Sequence, residues 1–460
     1  MTSFLAYISI ALCALAFSAH ADTLLVENGT ILTLADGQDA PFSGYLEVAD
    51  GRISAVGTGT YDGPPPDRRI DATGHIVMPG FVSGHNHLWQ SPWRGIAPNG
   101  ELWPWLRALH FTYADEFGDG DFYAFTLHGA LDQLLHGITT TYNHAQRLGA
   151  PEARYLESFE ASLAAGQHFV FAYSPRLEGT PPEVEARIAG FVERANATAS
   201  PLLLGLSLHS VGGYRGPPEK FALEMAIAKR YGLTVQIHYL EQYSKRFEER
   251  RKWDLFKAAG AVGPHVSYAH FIHPTETLLK EAAELGTAMI WNPLSNGRLA
   301  SGLADIPHYL EVGMRVGMGV DGAASADVAD PFENMRMGLY ALRMQHRNAN
   351  VMRPLDMLRL HTLRTAEILE VADEVGSLEV GKRADFLLID PTAPPTGPVS
   401  DTVATLVLAA AGSNIKAVFV DGKRRVTDGR LLGQDMAAAS AEAAARVKRI
   451  REAVATSEAR

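Results

Sequence analysis

The chain has 460 residues, 47% of them hydrophobic and 20% charged, a globular composition with enough length for more than one domain. Its 41 Lys and Arg against 52 Asp and Glu leave a formal net charge of −11. That balance, with no basic run in the body of the chain, argues against nucleic acid and anionic membrane surfaces as partners, since both reward clustered cations.

Residues 1–21 read as a signal peptide. An apolar run from Phe4 to Phe17 ends in Ala19-His20-Ala21, whose small-x-small shape predicts cleavage after Ala21. No Lys or Arg precedes the run, so only the α-amino group supplies positive charge. An uncleaved anchor would want about 20 apolar residues, and this run is shorter and contains Ser. The only cysteine, Cys13, lies inside this segment, behind Leu12 rather than the small residue a lipoprotein site requires. The mature chain is therefore expected to hold no cysteine, which removes disulfides, metal thiolates and a Cys nucleophile from consideration. The expected location is periplasmic or secreted, with no membrane association beyond export.

Residues 22–78 carry β-branched alternation broken by Asn-Gly and Asp-Gly turns, as in TLLVENGTILTL and GYLEVADGRISAVG. Residues 371–432 repeat that style in GSLEVGKRADFLLID and NIKAVFVDGK, so both ends are expected to build one small β-sandwich. Residues 79–370 alternate short apolar strands with helical stretches such as EKFALEMAIAKRYG and PTETLLKEAAELG. Such alternation over this length predicts an α/β fold with a parallel sheet, and about 250 residues is the size of a (β/α)8 TIM barrel. Residues 433–460, rich in Ala and charge, are expected to form a surface helix with a loose end.

In a barrel enzyme the chemistry sits at the C-terminal ends of the strands. His85 and His87 follow the apolar IVMPGFV, and i and i+2 on a strand point to one side, so both imidazoles can aim at one ion. His209 ends LLLGLSLH, His238 ends LTVQIH, His270 ends HVSYAH and Asp321 ends VGMGVD. A lone His at a strand end is more often structural than a ligand, and a lone His-x-His is weak. The signal is the joint placement at the same end of successive strands. Glu241 falls just past its strand, near the ligands but off their position, where a proton-transfer carboxylate is useful. Taken alone it would pass for a solvated loop acid.

These residues resemble the amidohydrolase superfamily, and within it the cytosine deaminase, guanine deaminase and triazine hydrolase branch. The likeness runs from about residue 24 to 432 and rests on PGFVSGHNH, His238-x-x-Glu241, AHFIH, NPLSNGRLASG, VGMGVDGAASAD and GSLEVGKRADF. The resemblance implies a (β/α)8 barrel flanked by a β-sandwich from both termini, with one divalent metal ion, usually Zn2+ and sometimes Fe2+. It implies His85, His87, His238 and Asp321 as metal ligands, His270 beside the attacking water, His209 as a substrate contact and Glu241 as the acid that protonates the substrate. Binuclear relatives bridge two metals with a modified Lys on the fourth strand; LLLGLSLHS offers none, which implies a mononuclear site. A divalent ion lowers the pKa of its water from 15.7 toward about 7. Asp321 is then expected to take the released proton and later pass it to the leaving group, while His270 steadies developing charge.

Asn86 stands between the two histidines where relatives often carry Thr, and is expected to point away from the metal. The loop after them, LWQSPWRGIAPNGELWPWL, holds four of the six tryptophans, Trp89, Trp93, Trp103 and Trp105. Trp89 and Trp103 are candidate walls for a flat or apolar small-molecule substrate, with loop packing or a subunit contact as the alternative. Asn143 and His144 end GITTTYN and its next residue and are further substrate-binding candidates; Tyr214 and Arg215 are weaker ones. Three functions stay open: hydrolytic deamination of a heterocyclic amine at a carbon–nitrogen bond other than a peptide bond; hydrolysis of an amide, cyclic amide or chloro-heterocycle on the same site; and a non-catalytic binding barrel. A homo-oligomer is possible by analogy alone.

Overall fold

A computed structural model describes residues 22–146, 151–210, 217–394 and 396–458. The signal segment 1–21, Tyr214 and Arg215 lie outside them. Among the described residues no helix is long and apolar enough to cross a membrane.

The N-terminal part forms β1 (Thr23–Ile31), β2 (Phe42–Ala49), β3 (Arg52–Thr58), β4 (Arg68–Asp71) and β5 (Ile76–Pro79). Eight parallel strands follow in sequential order: β6 (Phe81–Asn86), β7 (Ile138–His144), β8 (His168–Tyr173), β9 (Leu203–His209), β10 (Thr234–Tyr239), β11 (Val266–His270), β12 (Ala288–Trp291) and β13 (Arg315–Met318). The ring closes where Asp321 N–H donates to His85 C=O at 3.0 Å and Val320 N–H donates to the Ser83 hydroxyl at 3.0 Å. The closing contact thus joins two of the expected metal ligands. Last come β14 (Phe386–Ile389), β15 (Ile415–Val420), β16 (Lys423–Thr427) and β17 (Arg430–Leu431).

The two ends of the chain meet as expected, but as one sheet. Nine strands pair continuously, β14 running antiparallel to β5 with Phe386 opposite Pro79 and Ile389 opposite Ile76. Strand periodicity divides their side chains. Met78, Leu387, Ile389, Val418 and Val420 face the barrel and join its core. Val77, Phe386, Leu388 and Phe419 turn the other way and meet Leu46, Val48 and Ile53 from the far end of the strand order. Strands from both ends of the order share one cluster, so the sheet folds over on itself and supplies the enclosed core that a sandwich would have.

The seam between sheet and barrel is also charged. His168, the first residue of β8, places Nε2 3.4 Å from Asp385 and 3.2 Å from Asp421, and Arg383 binds Asp421 at 2.8 Å. The C-terminal helix Met436–Glu458 lies on the surface with one packed face. Ala443, Val447 and Ile450, at i, i+4 and i+7, are buried against the tryptophan-rich loop.

Candidate functional site

Every residue of β6 is buried, and His85 and His87 project from its end toward the barrel axis. Each ring is fixed from behind. His85 Nδ1 donates to Gln236 Oε1 at 2.6 Å, while the Gln236 amide donates to Gly84 C=O at 2.9 Å. His87 Nδ1 donates to His144 C=O at 2.9 Å. Both bonds leave Nε2 with a bare lone pair, the arrangement a metal-binding imidazole needs. His85 Nε2 is buried with no hydrogen-bond partner. His87 Nε2 lies 3.3 Å from His238 Nε2, and Asp321 Oδ1 lies 3.4 Å from His85 Nε2 and 3.5 Å from His87 Nε2.

Protonation favours the same conclusion. Burial, then the neighbouring His85, pushes His87 down to about 4. Burial and the surrounding imidazoles hold His238 well below its ordinary value. Burial alone would raise Asp321, but the surrounding imidazoles, His85 first, then His270 and His87, hold its carboxyl well below the usual range. Neutral imidazole nitrogens and an ionised carboxylate, converging in a buried pocket with an orphaned Nε2, fit a divalent cation. His85, His87, His238 and Asp321 are the residues that could hold it.

The proton-handling groups stand on one side of that cluster. Asn296 donates its amide N–H to His270 Nδ1 at 2.8 Å, which leaves the ring proton on Nε2. That Nε2 lies 3.8 Å from Glu241 and 3.9 Å from Asp321 Oδ2. Burial first, then Asp321 and Glu249, pushes the Glu241 carboxyl well above its ordinary value, so it carries a proton. The backbone here is strained: Leu240, His270, Phe271 and Asp321 have φ of 55°, 74°, 43° and 58°. β13 stops at Met318, and Asp321 is reached through Gly319 and Val320 rather than from the strand itself. A Cβ on Gly319 would sit 2.7 Å from the His85 backbone nitrogen, so only glycine lets the two strands approach.

A cavity of about 300 Å³ opens above these groups, and its walls include His209, Trp103, Trp105, Leu102, Leu106 and Leu299. His209 is steadied by Ser174 Oγ at 3.1 Å from Nδ1.

Three expected substrate contacts are placed elsewhere. Trp89 is fully buried, stacks on Phe122 at 5.4 Å and donates Nε1–H to Gln146 C=O. Trp89 and Trp93 both sit on the short helix Leu88–Trp93, four residues apart on its packing side. Asn143 points out of the barrel, where its amide donates to Ser158 and Ser162 on the helix Glu152–Ala165. His144 faces inward but is fully buried behind the wall, its ring 4.1 Å from that of His209. Asn86 turns away from the cluster as expected, donating to Thr141 and Tyr142.

Several cavity residues went unread in the sequence. Gln90 is buried with Oε1 unpartnered, and it lines the cavity beside His87. His110, on the π-turn Arg107–Phe111, lines it between Trp89 and Trp105. Lys245, Glu248, Glu249 and Lys252 line its mouth. Only Gln90 had a signal, its place one turn beyond His87.

A parallel barrel whose strand ends converge neutral imidazoles and one ionised carboxylate defines a metal-dependent hydrolase. Residues 76–425 match the amidohydrolase family, and the chain belongs to it, as a hydrolase acting on carbon–nitrogen bonds other than peptide bonds. It is 31% identical to a 5-methylthioadenosine/S-adenosylhomocysteine deaminase of Symbiobacterium thermophilum over 418 residues, covering 87% of this chain and 93% of that protein. A deaminase of the same name from Desulforamulus reducens is 28% identical over 413 residues, covering 87% and 92%. Among solved structures, a zinc-bound adenosine deaminase from Xanthomonas campestris superposes with a TM-score of 0.83 at 23% identity, over 93% of this chain and 98% of that one. A point mutant of an atrazine chlorohydrolase from Arthrobacter aurescens, complexed with zinc and atraton, also gives 0.83 at 23%, over 92% and 100%.

Proposed function

We propose that the protein is a mononuclear zinc enzyme that hydrolytically deaminates a heterocyclic amine. His85, His87, His238 and Asp321 would hold the ion. The single observation that carries the reading is His270 Nε2 set between the Glu241 and Asp321 carboxyls, at 3.8 and 3.9 Å. When bound, the ion supplies Lewis acidity that makes water a nucleophile at neutral pH. Glu241 donates its proton to a ring nitrogen of the substrate and makes the adjacent carbon electrophilic. His270 directs its Nε2–H at the attacking oxygen. Asp321 accepts one proton from water and returns it to the amine, which leaves as ammonia; the remaining hydroxyl proton restores Glu241 and the ring keeps the oxygen as a carbonyl.

The relatives and the cavity together support a substrate class. Both named relatives deaminate thioether nucleosides, and a cavity walled by Trp103, Trp105, Leu102 and Leu299 suits an apolar substituent on the amine-bearing ring. The unpartnered Gln90 Oε1 is the natural acceptor for a substrate N–H. Protonation of a ring nitrogen activates the adjacent carbon whichever group then leaves, so it is the named relatives that favour deamination over displacement of chloride. Ammonia release from 5′-methylthioadenosine, S-adenosylhomocysteine and adenosine tests the reading. Glu241→Gln is expected to cost at least about 10²-fold in rate with metal content unchanged; full activity in that variant refutes the proton-donor role.

We further propose export to the periplasm or beyond, on the sequence of residues 1–21 alone. Mass spectrometry of the mature protein should find its N-terminus at Asp22, and a mature chain starting at Met1 overturns this.

A further inference from the structure

The wall segment Leu102–Leu106 and the helix Leu88–Trp93 are single short turns of five and six residues, so their position depends on what packs against them. On the barrel side, Trp105 Nε1–H donates to Ala324 C=O at 2.7 Å, and Arg298 reaches Ile96 and Ala97 C=O at 2.6 and 3.0 Å. On the other side stands the C-terminal helix, which lies beyond the stretch matched by the family. Its Ala443, Val447 and Ile450 complete the cluster of Trp93, Phe117 and Phe122 behind the wall. Its charges converge on Asp121, whose side chain is fully buried. Arg446 Nη1 donates to Asp121 Oδ1 at 2.9 Å, Arg449 Nη2 donates to Oδ2, and Gly118 N–H donates to Oδ2 at 2.7 Å. Arg446 also reaches Asp119 C=O at 3.1 Å. Two guanidinium groups thus grip the turn that ends the substrate loop.

We propose that Asp121, Arg446 and Arg449 are positioning residues that set substrate affinity by holding the aromatic wall, without acting in the chemical step. Without the Asp121 charge, Arg446 keeps Glu442 on its own helix and the Asp119 carbonyl, and Arg449 keeps the Glu116 carbonyl, so the helix loses its charged tie to the buried carboxylate of the turn. His85, His238, Asp321 and Glu241 are held by other elements, and His87, which precedes the short helix, is anchored separately by its bond to His144 C=O, so the cluster stays in place. Fixed walls lower the ordering that binding must impose, so loosening them weakens binding first.

The kinetic arm rests on the deaminase reading; two further readouts do not. In zinc-loaded Asp121→Asn, KM for 5′-methylthioadenosine is expected to rise about tenfold with kcat within about twofold. Acrylamide should quench tryptophan emission more strongly than in the unmodified protein, because Trp93 loses its cover, and metal content should hold. Arg446→Lys/Arg449→Lys, which keeps both charges, should lie nearer the unmodified protein than Arg446→Met/Arg449→Met in both KM and quenching. Unchanged KM and quenching in Asp121→Asn overturn the proposal, as does a loss of kcat or metal equal to the rise in KM. Should the unmodified protein release no ammonia, the deaminase reading fails while the quenching comparison still decides this one.

Discussion

His168→Gln tests the charged seam that ties the barrel to the terminal sheet. The His168 side chain is fully buried, and Asp385 is 2% exposed beside it. Burial disfavours the charged imidazole, yet Asp385 and then Asp421 overcome that and push it up to about 9. At about 1.4 kcal/mol per tenfold in proton affinity, a rise from 6.5 to about 9 corresponds to about 3 kcal/mol. The sign follows from linkage: the folded state binds this proton more tightly, so the stabilisation is fully present below pH 6.5 and is lost as pH rises through about 9. Removing the cation also strands Asp385, a buried charge whose pair has been broken, at a cost of about 3–5 kcal/mol near pH 6. Urea unfolding of the unmodified protein and His168→Gln across pH 6 to 10 reads both effects. The lead of the unmodified protein should shrink by about 3 kcal/mol over that range. A lead that stays constant with pH refutes the charged-histidine argument.

Other substitutions probe the site. A Cβ on Gly322 would sit 1.9 Å from Gln90 Oε1, so Gly322→Ala should displace that amide, raise KM and cost about 1–3 kcal/mol by thermal unfolding. Gln236→Leu removes the acceptor that holds His85, and chelator competition should show metal affinity falling by about 10- to 100-fold while the fold persists.

The barrel and its ligand cluster were legible because strand ends carry a strong pattern: an apolar run closed by a polar residue, repeated. His85, His87, His209, His238, His270 and Asp321 all met at one end of the ring on that signal. Asn143 could have been excluded by the same periodicity. If His144 faces in, its neighbour on the strand must face out. Trp89 and Trp93 were not separable from Trp103 and Trp105 by composition, because wall and packing use the same residue type and only the turn geometry divides them. The single folded-over sheet depended on pairing between β5 and β14, about 300 positions apart, which no local pattern encodes. The buried stripe on the last helix was hidden by alanines, whose small side chains mark no apolar face until Val447 and Ile450 are seen against Trp93.

The central claim is one divalent ion held by three imidazoles and a carboxylate. Elemental analysis of purified, reconstituted protein tests it most directly. The account predicts about one equivalent of zinc per chain, lost in His238→Ala and in Asp321→Ala. Two equivalents, or one equivalent that survives both substitutions, would contradict it.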